Sequence, residues 1–171
     1  MTPIVLAAAL GHTNIIGDLL DEGAKVGTTI SHGLTALMVA AGEGNDDVVE
    51  LLVERGGKEE LERVDASGNT ALLHAARAAN VSTMRVLVSR GSSIDVQNRV
   101  GETVWWNLGE TVWHHAIRRD DGDDFLRAVA ALYRRAKRLD GRRLMKFADG
   151  RSPLQVCHHH HRRHPHRHAV Q

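Results

Sequence analysis

The sequence predicts an all-α solenoid of stacked helix–turn–helix units, and three observations carry that prediction. A short phrase recurs: Thr-Pro-Ile-Val-Leu-Ala-Ala at Thr2–Ala8, Thr-Ala-Leu-Met-Val-Ala-Ala at Thr35–Ala41 and Thr-Ala-Leu-Leu-His-Ala-Ala at Thr70–Ala76. The copies are 33 residues (Thr2 to Thr35) and 35 residues (Thr35 to Thr70) apart, a period that signals a repeat array. Each copy is also followed, at matching offsets, by a polar break, a second apolar run and a closing glycine. One helix pair cannot bury its apolar face alone, so stacked neighbours must supply one continuous core.

The elements of one unit follow in order. Threonine starts each phrase because its hydroxyl can cap a helix, and Pro3 suits a first turn whose N–H has no partner. The Ala-Ala pair lets neighbouring helices approach closely. The breaks are Gly11-His12, Gly44-Asn45 and the weaker Ala79-Asn80; glycine at a helix end accepts the left-handed conformation of a tight turn. The second runs are Ile15, Ile16, Leu19, Leu20, then Val48, Val49, Leu51, Leu52, then Met84, Val86, Leu87, Val88, at spacings that give one apolar helix face. Gly23, Gly56 and Gly91 end these helices, and a polar stretch leads on to Gly33, Gly68 and Gly101.

The pattern resembles the ankyrin repeat, whose consensus places Gly-x-Thr-Pro-Leu-His-x-Ala-Ala, Gly-His, an apolar pair and Gly-Ala at these offsets. The resemblance covers about residues 2–101 well and 109–157 loosely, through Thr111–Ala116 and Ser152–Cys157. It implies an ankyrin-type helix-turn-helix solenoid over 1–157 with β-hairpin-like fingers. Its repeats fall at 2–33, 34–68 and 69–101, with an irregular one at 109–149 and a truncated one at 150–157. His12 and His114 sit at consensus positions and read as structural. The chain opens directly on a first helix, so exposed apolar surface is expected at that end, and a piece of a larger ankyrin array is one reading. Gly56 to Gly68 holds two more residues than Gly23 to Gly33, so the second finger, with Glu59, Glu60, Glu62 and Asp65, is expected to be longer and acidic.

Gly-Glu-Thr-Val-Trp occurs at both 101–105 and 109–113. The second copy has the better helix start, with Trp113 in a core position. Residues 101–108 therefore read as an insertion that lengthens the third finger. Trp105 and Trp106 are candidates for partner contact, since exposed Trp is enriched at interface hot spots; a local duplication without function is the competing account.

Charge is divided along the chain. Residues 1–126 carry 10 Lys/Arg and 19 Asp/Glu, and residues 127–171 carry 12 and 2. Asp120, Asp121, Asp123 and Asp124 at the start of an expected helix, with Arg134, Arg135, Lys137 and Arg138 at its end, suit the helix dipole. The same basic run also fits a nuclear-import or phosphate-binding patch. No stretch is long and apolar enough to span a membrane. A lone Cys157 leaves no intramolecular disulfide and fits a reducing compartment. The expected location is cytoplasmic, with the nucleus second.

Residues 158–171 form a His/Arg-rich tail, expected to be disordered. Its His158, His159, His160 and His161 are weak metal candidates without the fixed tetrahedral cage of a zinc site. No nucleophile–base arrangement or phosphate-cradling glycine loop is present, so no catalytic residue and no cofactor are assigned. The resemblance implies a non-catalytic protein–protein interaction module that binds an unidentified partner through its concave finger and inner-helix surface. Carried onto this sequence, the contact positions are Ser31, His32, Leu34, Gly42, Glu43 and Arg55, then Ala66, Ser67, Asn69, Arg77, Ala78 and Arg90, then Arg99, Glu102, Trp105 and Trp106. Three other readings stand beside it. One is a nucleic-acid or nuclear role through 127–167, which the scarcity of aromatics among the basic residues disfavours. The others are metal binding by the tail and a degenerate copy without function.

Overall fold

The computed structural model describes residues 2–94, 96–102 and 104. The recurring phrase forms α1 (Pro3–Leu10), α3 (Ala36–Glu43) and α6 (Ala71–Arg77), and the second apolar runs form α2 (Thr13–Asp21), α4 (Asp46–Gly56) and α7 (Val81–Arg90). The caps are those the sequence implies. Thr35 Oγ1 accepts the Met38 N–H at 3.2 Å and Thr70 Oγ1 accepts the Leu73 N–H at 3.4 Å. Thr2 makes no such bond, and Pro3 follows it. Gly11 and Gly44 end α1 and α3 at positive φ, and Ala79 takes the same place after α6 with φ 59°.

The helices form two layers. In the inner layer α3 lies between α1 and α6; in the outer layer α4 lies between α2 and α7, and each inner helix packs on the outer helix of its own repeat. The seam of the inner layer is made of small side chains: Ala7, Ala8, Ala40, Ala41, Ala75 and Ala76 are all buried. Leu37, Leu52, Leu72, Leu73, Met84 and Leu87 fill the space between layers and have no measurable exposure. Burying one such side chain contributes about 1.5–3 kcal/mol, so the core is distributed over every repeat.

The second finger departs from expectation. The residues added after Gly56 form a short helix, α5 (Lys58–Leu61), which packs against α4 and buries Leu61. Amphipathic Lys-Glu-Glu-Leu gains more by burying one leucine than by extending a polar loop. The finger turn that follows has the length of the others, and of its expected acidic residues Glu60 and Asp65 are buried. Of the expected insertion at 101–108, only 101, 102 and 104 fall among the described residues. Val104, in the position of Ala36 and Ala71, is helical and fully buried.

Candidate protein-binding surface

Three finger turns share one design. Ile30, Asp65 and Asn98 each donate the backbone N–H to the residue four later (Leu34, Asn69, Glu102) and accept at the carbonyl from a glycine three later (Gly33, Gly68, Gly101). All three glycines have positive φ, between 76° and 88°, which a β-carbon disfavours. In the second and third turns a side chain closes the loop from within. Asp65 Oδ1 accepts the N–H groups of Ser67 (2.8 Å) and Asn69 (2.9 Å), and Asn98 Oδ1 accepts those of Val100 (3.1 Å) and Glu102 (2.8 Å). These are Asx turns. Ile30 has no such group, and the first turn winds instead as a short 3-10 segment (Ser31–Gly33) with His32 at φ 63°.

The turns are tied to one another by backbone bonds. The Ala66 N–H donates to the His32 carbonyl at 2.7 Å, and the Arg99 N–H donates to the Ser67 carbonyl at 2.9 Å. A β-carbon on Gly68 would lie 3.1 Å from the Arg99 nitrogen, so this approach also uses the absence of a side chain.

Behind the turns runs a buried polar ladder. His74 Nε2 lies 3.0 Å from Asp65 Oδ2, which also accepts from Asn69 Nδ2 at 3.1 Å; Asn98 Nδ2 donates to Asn69 Oδ1 (2.9 Å) and Glu102 Oε2 (2.8 Å). Burial alone would push the Asp65 carboxyl up. The bonds from the Asn69 backbone and side chain, the Ser67 backbone and His74 outweigh it and hold the group below the usual carboxylate value. His74 comes from α6, so the ladder bolts the second finger to an inner helix. It also shows which ridge of the inner layer faces the fingers: Leu6, Val39 and His74 share one register position on α1, α3 and α6. Leu10, Glu43 and Ala78 share the next turn, and Leu6 and Leu10 are exposed.

A second set of ties joins neighbouring repeats at the other end of the inner helices. Asn45 Nδ2 donates to the carbonyls of Ala8 (2.8 Å) and Ala9 (3.2 Å), and Asn80 Nδ2 to those of Ala41 (3.1 Å) and Gly42 (2.8 Å). Each asparagine donates to carbonyls in the last turn of the preceding inner helix, where intrahelical donors run out. Gly11 and Gly44 make room, since a β-carbon on either would meet the asparagine at 3.1 Å.

The residues inferred from sequence divide accordingly. Ser31, His32, Ala66, Ser67 and Arg99 are exposed along the finger tips, with Leu34 half-buried. Glu43, Arg77 and Ala78 are exposed at the ends of α3 and α6, beside a half-buried Gly42. Asn69 does not belong to this surface: it is 2 % exposed, and its side chain is engaged by Asp65 and Asn98. Glu102 is half-buried and holds Asn98. Arg55 and Arg90 stand at the ends of the outer helices α4 and α7, where each faces the preceding outer helix, Arg55 on Asp21 at 2.9 Å and Arg90 near Glu50 at 3.9 Å. Trp105, Trp106 and His158–His161 lie outside the described residues. Sequence reasoning passed over Leu6 and Leu10, whose register on the inner ridge needed only the helical period.

A family model for ankyrin repeats matches residues 4–98 in three copies. The chain belongs to the ankyrin-repeat family. Over 57 residues it is 42 % identical to the ankyrin repeat, SAM and basic leucine zipper domain-containing protein 1 of Nomascus leucogenys, Chlorocebus aethiops and Pongo abelii, a match covering 33 % of this chain and 12 % of each relative. The similarity thus spans about an eighth of those relatives' length. Ankyrin repeats are generally protein–protein interaction modules and typically have no enzymatic activity.

Proposed function

We propose that this ankyrin array binds a protein partner across its finger tips and the adjoining ridge of α1, α3 and α6. The observation that carries the reading is that the finger turns are held by hydrogen bonds within and between them. Amides and carbonyls in them are held by their own turns, by Asp65 and Asn98, and by the neighbouring finger, while Ser31, His32, Ser67 and Arg99 extend outward. A pre-ordered backbone avoids the loop-ordering part of the cost of binding.

The chemistry of this surface differs from end to end. Leu6 and Leu10, 47 % and 60 % exposed, make its first-repeat end apolar. Arg77 and Arg99 make its third-repeat end basic and enter no ion pair among the described residues. A partner segment with apolar side chains at one end and carboxylates at the other fits this polarity. A photo-crosslinking residue at Ser67 or Leu10 tests the reading against one at Glu54 or Arg85 on the outer helices. A discrete protein adduct from the first pair is expected; adducts from the outer pair alone would refute the reading.

A further inference from the structure

The polar ladder behind the fingers dictates where its hydrogens lie. Asn98 Oδ1 accepts the N–H groups of Val100 and Glu102, so the other end of this amide is the donor, and it serves Asn69 Oδ1 and Glu102 Oε2. Asn69 therefore turns its own Nδ2 to Asp65 Oδ2. An ionised Asp65 offers acceptors alone, so His74 Nε2, 3.0 Å from the same oxygen, must carry a hydrogen. A neutral imidazole has one N–H. Nδ1 is thus left with a bare lone pair and has no partner among the described residues.

The ring stands on the ridge where Leu6 and Val39 hold the same register on the other inner helices, so His74 is the titratable member of the three. Its side chain is 20 % exposed and that of Asp65 behind it 8 %. Arg99 donates its N–H to the Ser67 carbonyl, and its stem lies over Gly68, where a β-carbon would sit 3.2 Å from Arg99 Cγ. The Asp65 turn is therefore flanked by Arg99 on the next finger and by exposed Arg77 one turn along α6. Glu102 on the third finger, His32 on the first and Glu43 on α3 complete the charged and titratable groups on this side. α7 packs against α6 with Arg85 and Arg90 exposed on the outer layer. While His74 is neutral, the Asp65 charge opposes the arginines; a proton on Nδ1 cancels it.

We propose that His74 is a pH-responsive contact of the binding surface, whose protonation at Nδ1 tightens the hold of the third-repeat end on a partner's carboxylates. The inference rests on the surface proposed above. Histidine is the side chain whose ordinary titration falls between about pH 5 and 8, and over that range a partner's glutamates stay ionised.

The test is nitrogen-detected NMR of the labelled full chain, alone and with a hexaglutamate peptide as probe. At about pH 7.5 the free chain should show His74 as the Nε2–H tautomer, with Nδ1 the nitrogen that gains the proton on acidification. Peptide affinity, read from the Arg77, Ser67 and Arg99 amides, should rise about two- to fivefold more between pH 7.5 and 5.5 in the natural chain than in His74→Gln, the size of one exposed ion pair. Glutamine reaches Asp65 with an uncharged N–H, and the other histidines titrate alike in both chains, so the difference isolates His74. His74→Leu, the residue at Leu6, gives the same comparison if the glutamine variant does not fold. An Nδ1–H tautomer, or the same pH dependence in the natural chain and the variants, would overturn this inference alone. A peptide that leaves Arg77 and Arg99 unperturbed at both pH values would overturn the basic end of the surface and this inference with it.

Discussion

Position 79 offers a substitution whose sign follows from the backbone. The inner helices α1 and α3 end on Gly11 (φ 74°) and Gly44 (φ 80°), and Ala79, in the same register two residues after α6, has φ 59°. Holding an L-residue in this left-handed region costs about 1–2 kcal/mol. Glycine removes that strain but gives the unfolded chain more freedom, which returns about 0.4–1 kcal/mol. Ala79→Gly should therefore stabilise the protein by about 0.5–1 kcal/mol, and a chain of this size converts that to a rise in Tm of about 1–4 °C. Gly44→Ala provides the opposite case. It adds the same strain and sets a β-carbon 3.1 Å from the Asn80 amide carbon, disturbing the bonds to Ala41 and Gly42. Strain and weakened bonds together should cost about 1–3 kcal/mol. Urea and thermal unfolding followed by circular dichroism measure both. A fall in stability for Ala79→Gly, with a loss under about 0.5 kcal/mol for Gly44→Ala, would refute the account.

Four further outcomes are expected. Asn45→Ala and Asn80→Ala each remove two bonds to part-buried helix-end carbonyls and should lower stability by about 1–3 kcal/mol in urea titrations. Asp65 is held below its ordinary value in the folded state, so its contribution is complete above the unfolded carboxylate value and is lost as pH falls through the lower folded one. The Tm of the natural sequence should thus fall more steeply than that of Asp65→Asn between about pH 5 and pH 3. Arg55→Ala removes an exposed ion pair to Asp21 and should change unfolding free energy by less than about 1 kcal/mol, which a urea titration would register as little or no shift in midpoint. Arg77→Glu combined with Arg99→Glu should reduce the crosslinked adduct formed from Ser67 while leaving Tm within about 2 °C.

The repeat architecture was legible because its determinants are local and recur. Threonine caps, glycine-bounded turns and Ala-Ala seams each have a physical reason to stand at one position in every copy, and three copies fix the register. Two kinds of feature were not legible. Asp65 reads as one more acid in a polar stretch, although Asp-x-Ser-Gly is an Asx-turn signal; only the fold shows that its second oxygen meets His74 and Asn69. His74 itself lies one residue beyond the position where the family carries its histidine, a position filled here by buried Val5, Met38 and Leu73. The family offset also counts Asn69 among the contact residues, because it fixes where a residue sits along the finger and not whether its amide is already taken. The short helix α5 arises from a similar gap. Counting residues from Gly56 to Gly68 detects the insertion, but only the apolar patch on α4 decides that Leu61 turns it inward.

The division of labour within a finger bears on how such a surface acquires a partner. Asp65 and Asn98 hold the turns through side chains that point inward, and the glycines allow the backbone to approach the next finger. Of the tip positions between them, Ala66, Ser67 and Arg99 contribute main-chain bonds to the stack, and these residues and Val100 project their side chains into solvent. Substitutions at exposed positions of this kind usually alter stability by no more than about 0.5 kcal/mol. Binding chemistry at the tips can therefore change while the turn beneath stays fixed, whereas a change at Asp65 or Asn98 disturbs both together. The inner ridge follows the same logic: Leu6 and Leu10 leave the core and carry the exposed chemistry, while Ile4, Val5, Ala7 and Ala8 on the same helix supply the packing.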